Sequence, residues 1–290
     1  MTTRLTLIHT LSPLHAGTGQ AVGAIDLPIA RERPTGIPLV PGSSIKGALR
    51  ARVSDPQWRA QIFGPDTPNA SEHAGAVHFA DAHLLLLPVR SLWGTFAWVT
   101  SPFLLMRFAR DLSESGAPFR TLDSLRKLTL DACLVSESTL LTHDGEGQVV
   151  LEDLDLKAKR DKGLSALLEH VAQALDLDLP ERLCIVHDDV MSTLMESATE
   201  VRARIRLNED SKTVDKGALW YEESLPAESV LFGLVLASDV PARRSGAPAR
   251  RAEALVEHLN ETTAGTFVQL GGKASTGRGL CRLSITGGSR

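Results

Sequence analysis

The first fifty residues hold side chains whose types and spacing could act on a phosphodiester. Asp26 is the only charged residue in the run Gly17 to Ala30, a stretch loosened by glycines. Pro41-Gly42 then breaks the chain, and Ser43, Ser44, Lys46 and Arg50 follow. Lys46 and Arg50 are four apart, so on a helix they share a face beside the stripe Ile45, Leu49 and Val53. A helix start capped by Ser43 or Ser44, with open amides and a Lys–Arg face, suits phosphate. A lone carboxylate one loop away could hold a divalent ion, Mg²⁺ or Mn²⁺, or take a proton.

Two later stretches carry similar chemistry. In Val201 to Leu207 the apolar residues alternate with Arg202, Arg204 and Arg206, so a strand puts three arginines on one face. Asn208 to Lys212 supplies turn residues and the chain returns through Trp220 and Tyr221, which reads as a long hairpin. Charge also protects solvated sheet edges, yet arginine's planar fork fits phosphates and bases. Near the C-terminus, Gly271, Gly272, Lys273, Ser275, Gly277 and Arg278 lie in a glycine loop between two strand-like runs. It is not a phosphate-binding P-loop, because Phe267 and Ala274 occupy required Gly and Ser/Thr positions. It is not a dinucleotide fingerprint either, since it feeds a strand and no helix. An anion nest or a tight turn remains. His187-Asp188-Asp189 could ligate a metal, but helix capping accounts for the acids and no further metal spacing surrounds them.

These groups need a scaffold, and the chain is long enough to build one. Its 290 residues are 43% apolar, sufficient for a large core. The net charge is −4 and the pI about 6.1, so any nucleic-acid surface must be a local patch. Cys133, Cys184 and Cys281 are far apart and fit neither a disulfide framework nor a zinc site. No basic-then-apolar leader opens the sequence and no apolar run nears the roughly 20 residues of a membrane span. The expectation is a cytoplasmic protein without a membrane partner.

Arg4 to Ser12 reads as a strand, Ser43 to Val53 as a helix and Asp55 to Gly75 as a loop. Strand-like runs follow at Ala76 to Val89 and Thr95 to Val99, with a helix over Phe103 to Ser113. Lys162 to Leu175 has one-sided leucines and reads as a single helix. Cys184 to Val186 and Val230 to Ala237 are apolar strands, the first followed by a helix through Met195. Arg243, Arg244, Arg250 and Arg251 form a basic segment before a helix through Leu259. The order is that of an α+β sheet with insertions.

PLHAGTGQAVGAIDLPIARE followed by PGSSIKGALR resembles the RAMP superfamily of guide-RNA-binding proteins. Within it, the resemblance is to the backbone subunits of type III-B CRISPR (Cmr) effector complexes. LWYEESLP and the C-terminal glycine loop extend it. The resemblance implies one RAMP domain over 1–290, with a ferredoxin-like or RRM-type core and large insertions. Among these it implies an insertion loop at about 55–75 and a protruding β-hairpin thumb at about 200–221. It implies a repeated subunit that polymerises along CRISPR RNA and cuts paired target RNA at regular intervals. Its partners would be CRISPR RNA, target RNA, further copies of itself and other Cmr subunits. Asp26 would be the metal-holding catalytic residue, with His15, Lys46 and the acids Glu222 and Glu223 as candidate assistants; Ser224 stands where the family has an aromatic. Aromatics are only 4% of the chain, which favours recognition of backbone and shape over base stacking. A non-catalytic guide-binding scaffold and a guide-processing endoribonuclease are the competing expectations.

Overall fold

A computed structural model describes residues 1–19, 25–65, 74–119, 122–143, 147–208, 211, 213–242 and 248–286. The first half runs β1 (Thr2–Thr10), β2 (Leu39–Val40), α1 (Gly42–Arg52), α2 (Pro56–Phe63), β3 (Val77–Phe79), β4 (Ala82–Arg90), β5 (Phe96–Thr100), α3 (Pro102–Glu114), β6 (Ala132–Val135). It continues through β7 (Gln148–Leu151), β8 (Leu154–Arg160), α4 (Leu164–Leu167), α5 (Glu169–Leu175), β9 (Leu183–Val186) and α6 (Asp188–Ser197). The last part is β10 (Glu200–Leu207), β11 (Val214–Ser224), β12 (Val230–Ala237), α7 (Ala252–Thr263), β13 (Phe267–Gln269) and β14 (Leu280–Thr286).

The central strands pair in the order β14-β1-β12-β4, every pair antiparallel. With α1 between β1 and β4, and α7 between β12 and β14, this is the ferredoxin-like βαββαβ arrangement. Everything from β5 to β11 is inserted between the second and third core strands. Five inserted strands, β5-β9-β6-β8-β7, extend the same sheet beyond β4, while β10 and β11 form a separate two-stranded sheet. The α+β core with large insertions and a protruding hairpin is therefore as the resemblance implies.

Helices cover both faces of the sheet. Ile45 and Leu49 of α1 and Leu255 and Leu259 of α7 pack with Ile8, Leu84 and Leu231. On the other face Leu105, Phe108 and Leu112 of α3 and Val171 and Leu175 of α5 meet Leu5, Leu7 and Phe232. Phe108 sets its edge on Phe232 at 5.3 Å. The sheet face on which an RRM stacks bases is thus filled with core, so bases cannot be read there.

Several local expectations change. Helix α1 starts at Gly42 with Pro41 in the cap position, and neither Ser43 nor Ser44 caps it. The Gly42 N–H instead donates to Asp81 Oδ1 at 2.8 Å, because the chain bends between β3 and β4 and delivers that carboxylate. The expected loop from Asp55 contains α2. Asp55 Oδ1 accepts from the amides of Gln57 and Trp58, and Pro56 takes the first helical position, which needs no N–H. The expected helix Lys162 to Leu175 breaks at Leu168 into α4 and α5, and both pieces bury their leucines. His187, with its ring accepting from the Asp189 N–H, caps α6, while Asp188 accepts from the Phe103 N–H. The three cysteines are buried and free. Arg243 and Arg244 lie outside the described residues.

Candidate nucleic-acid interface

Three segments far apart in sequence meet at the root of the hairpin. The opening loop is stitched to β11: Leu14 and Leu225 exchange backbone hydrogen bonds, as do Leu27 with Tyr221 and Glu223. Leu27 lies in a parallel bridge with Glu222, so the Asp26 segment extends the hairpin root like a short third strand. The glycine loop closes on the other side, where the amides of Gly272 and Gly279 donate to the carbonyls of His15 and Pro13. Gly271 has φ +68°, and a Cβ there would overlap the His15 carbonyl. Only glycine fits that approach.

Asp26 is exposed, and its Oδ2 accepts from the Tyr221 N–H at 2.8 Å. The second oxygen has no hydrogen-bond partner among the described residues. His15 is 8% exposed, with Nδ1 2.7 Å from the Glu223 carbonyl oxygen. A carbonyl only accepts, so Nδ1 carries a proton and neutral His15 keeps Nε2 as an acceptor. That Nε2 faces Gly17, where a Cβ would stand only 2.6 Å away.

Glu222 is 7% exposed and densely bonded. Oε1 accepts from Lys273 Nζ and Trp220 Nε1, both at 2.8 Å, and Oε2 from Arg204 Nε at 3.2 Å. Burial alone would raise its pKa; the bond from Lys273, then Trp220, the Lys273 charge and Arg204 outweigh burial and hold it at about 2. A carboxylate so acidic is a weak base and a strong anchor. The pair joins hairpin to glycine loop across 51 residues.

The expected cations are unequally placed. Lys46 is half-exposed on α1, with no ion-pair partner among the described residues. The Arg50 guanidinium donates to the carbonyls of Gly64 and Pro65 at 3.0 Å and so anchors the α2 exit. Arg52, two residues on, ties α1 to β13 through the Phe267 carbonyl and Thr266 Oγ1. Arg278 is buried with Nη1 3.4 Å from Glu200, whereas Gly271, Gly272, Ser275 and Gly277 are exposed. In the hairpin Arg202 pairs with Glu200 at 2.8 Å and Arg204 with Glu222, so carboxylates partly neutralise the arginine face; Arg206 is also engaged. The opposite face exposes Val201 (47%), Ile205 (51%), Leu207 (49%) and Leu219 (54%), and none of the described residues covers it.

Sequence reasoning missed Arg31 and Asp81, and it offered Glu223 only as an assistant to Asp26, without its link to Arg31. Their partners lie 192 and 39 residues away, and no local pattern marks such pairs. Among the described residues no group of three or more His, Cys, Asp or Glu could hold a metal. No described helix is long and apolar enough to cross a membrane.

The RAMP superfamily model matches residues 7–282. The chain is 37% identical to the CRISPR system Cmr endoribonuclease Cmr4 of Pyrococcus furiosus, over 96% of this chain and 94% of that one. It is 26% identical to the CRISPR system CMR subunit Cmr4 of Saccharolobus solfataricus, over 95% and 94% of the two chains. A crystal structure of oligomeric Cmr4 from Pyrococcus furiosus superposes with a TM-score of 0.76 at 30% identity, covering 100% of both chains. A chain from the cryo-EM structure of Type III-B Cmr-beta bound to cognate target RNA has the same fold, at a TM-score of 0.74 and 22% identity. With the shared core, the hairpin and the glycine loop in place, the chain belongs to the RAMP superfamily and, within it, to the Cmr4 family.

Proposed function

We propose that this protein is a guide-RNA-binding backbone subunit of a type III-B CRISPR effector, repeated along CRISPR RNA, that cuts the paired target RNA. The observation that carries the reading is the registry of the Asp26 segment on the root of the hairpin, beside the glycine loop. Guide phosphates would meet Lys46 and the exposed glycine loop, with Lys273, held by Glu222, beside them. The uncovered apolar face of the hairpin would rest on bases or on the next copy of the chain.

RNA supplies its own nucleophile, the 2′-OH. Cleavage then needs in-line alignment, removal of that proton and neutralisation of phosphate charge. Asp26, exposed and with one oxygen available, can accept the proton or turn that oxygen to a hydrated divalent ion shared with RNA. Such an ion would neutralise charge on the phosphate. His15, held as the Nδ1–H tautomer, presents Nε2 as a second acceptor. Glu222 holds Lys273 and Arg204 in place. Internal attack leaves a 2′,3′-cyclic phosphate and a 5′-OH.

The test is a cleavage assay of the assembled complex with complementary target RNA and, separately, with repeat RNA. Target cut at regular intervals into cyclic-phosphate ends, with repeat RNA intact, is the expected result. Cutting of repeat RNA alone assigns guide processing, and cutting of neither assigns a scaffold.

A further inference from the structure

We infer that Glu223 is the positioning residue that fixes both Asp26 and His15 to the hairpin root. It is 3% exposed, and all three of its polar groups are used. Its carboxylate accepts from the Ile29 N–H at 3.1 Å, Arg31 Nη2 at 2.6 Å and Thr199 Oγ1 at 3.0 Å. Its own N–H donates to the Leu27 carbonyl at 3.0 Å, and its carbonyl accepts from His15 Nδ1 at 2.7 Å. The segment on each side of Leu27 is thereby gripped: Asp26 by the Tyr221 amide, Ile29 and Arg31 by the Glu223 carboxylate.

Arg31 secures the far end. Its guanidinium also donates to the carbonyls of Gly36 and Met195, both at 2.9 Å, so the brace spans the opening loop and the end of α6. Thr199 adds the link that enters β10. The consequence is mechanical. The Asp26 segment cannot shift along β11 without pulling Ile29 and Arg31 from a buried carboxylate, which would then lack partners. Motion of the hairpin on engaging target RNA therefore carries Asp26 and His15 with it. Glu223 itself is buried and acts only through those two residues.

This inference rests on the proposed role of Asp26 in cutting, and the experiment separates the two. In assembled complex, single-turnover cleavage of target RNA is measured against target concentration for wild type, Asp26→Asn, Glu223→Gln, Arg31→Gln, Thr199→Val and the Glu223→Gln/Arg31→Gln double variant. Misplacement on the order of 1 Å lowers a rate about 100-fold, so Glu223→Gln should lose about ten- to a hundredfold in maximal rate. The half-saturating target concentration and the length of protected guide should stay unchanged. The double variant should be no slower than the worse single, because both disable one brace. Should Glu223→Gln not assemble, Thr199→Val removes one donor from the same carboxylate and should slow cutting a few-fold at unchanged half-saturation. Wild-type rates in the assembled Glu223→Gln complex, or a change in half-saturation alone, overturn the inference while Asp26→Asn remains inactive. If Glu223→Gln does not assemble, a wild-type rate for Thr199→Val overturns it. Wild-type cutting by Asp26→Asn instead overturns the reading beneath it.

Discussion

The Tyr221 amide donates to Asp26 Oδ2 at 2.8 Å, so a carboxylate near the start of the chain is oriented by a strand 195 residues later. Tyr221 belongs to β11, the returning strand of the hairpin, and the adjoining Leu27 is hydrogen-bonded into the same strand. Where the hairpin goes, the carboxylate follows.

Shortening the hairpin tip between Leu207 and Val214 should therefore act on where cuts fall more than on whether guide is bound. Sequencing the ends of cleaved target RNA should show broadened spacing, with guide affinity within about twofold, because the glycine loop is untouched. Unaltered spacing would remove the hairpin from any role in placing the cut.

Much of this arrangement can be read from the residues alone. The stripe Ile45, Leu49, Val53 faces the core, and the alternation in Val201 to Leu207 does build a strand with its arginines on one side. Local patterns decide such features. The cap on α1 was not legible, since Asp81 arrives from a bend 39 residues on, and Asp55-Pro56 reads as a breaker although the same pair starts α2. Nor could the sequence reveal that Arg204 would meet Glu222 or Arg278 meet Glu200, because the first pairing needs the register of β10 on β11 and the second needs the hairpin docked on the glycine loop.

Glycine substitutions should separate a close approach from a bent backbone. Gly271→Ala adds a clash with the His15 carbonyl to a φ of +68°, whereas Gly277 has φ +76° and open space where the added methyl group would sit. Gly277→Ala should cost about 1–2 kcal/mol from the left-handed backbone alone. Gly271→Ala should cost more in thermal unfolding and also weaken guide binding, by displacing the loop from the opening segment. Equal losses at the two positions would contradict this geometry.

Acid stability should report the Glu222–Lys273 link. The folded pKa of Glu222 lies at about 2, below its ordinary 4.5, so its ionised form is favoured by folding. The stabilisation is fully present above about pH 4.5 and is lost as pH falls toward 2. Glu222→Gln should lower the melting temperature at pH 7, and its deficit should shrink through that window. A deficit independent of pH between 2 and 7 would mean that the carboxylate's charge contributes nothing.

Guide binding by phosphate contact has a salt signature. Lys46→Ala and Lys273→Ala should each weaken binding for all guide sequences alike and reduce the slope of log affinity against log salt by about 0.7. The Lys273 variant should in addition lose thermal stability, since Glu222 keeps only Trp220 and Arg204 as partners. Unchanged affinity and slope would place the guide elsewhere.

The most direct measurement is single-turnover cleavage of target RNA by a complex carrying Asp26→Asn. The substitution keeps the size of the side chain and an oxygen to accept from the Tyr221 amide, and removes only the charge. Guide and target should bind at wild-type strength, with regular protection of the target, while the cleavage rate falls about a hundredfold or more, as for loss of a general base. Cleavage at the wild-type rate in saturating divalent ion would contradict a chemical role and leave Asp26 a loop anchor.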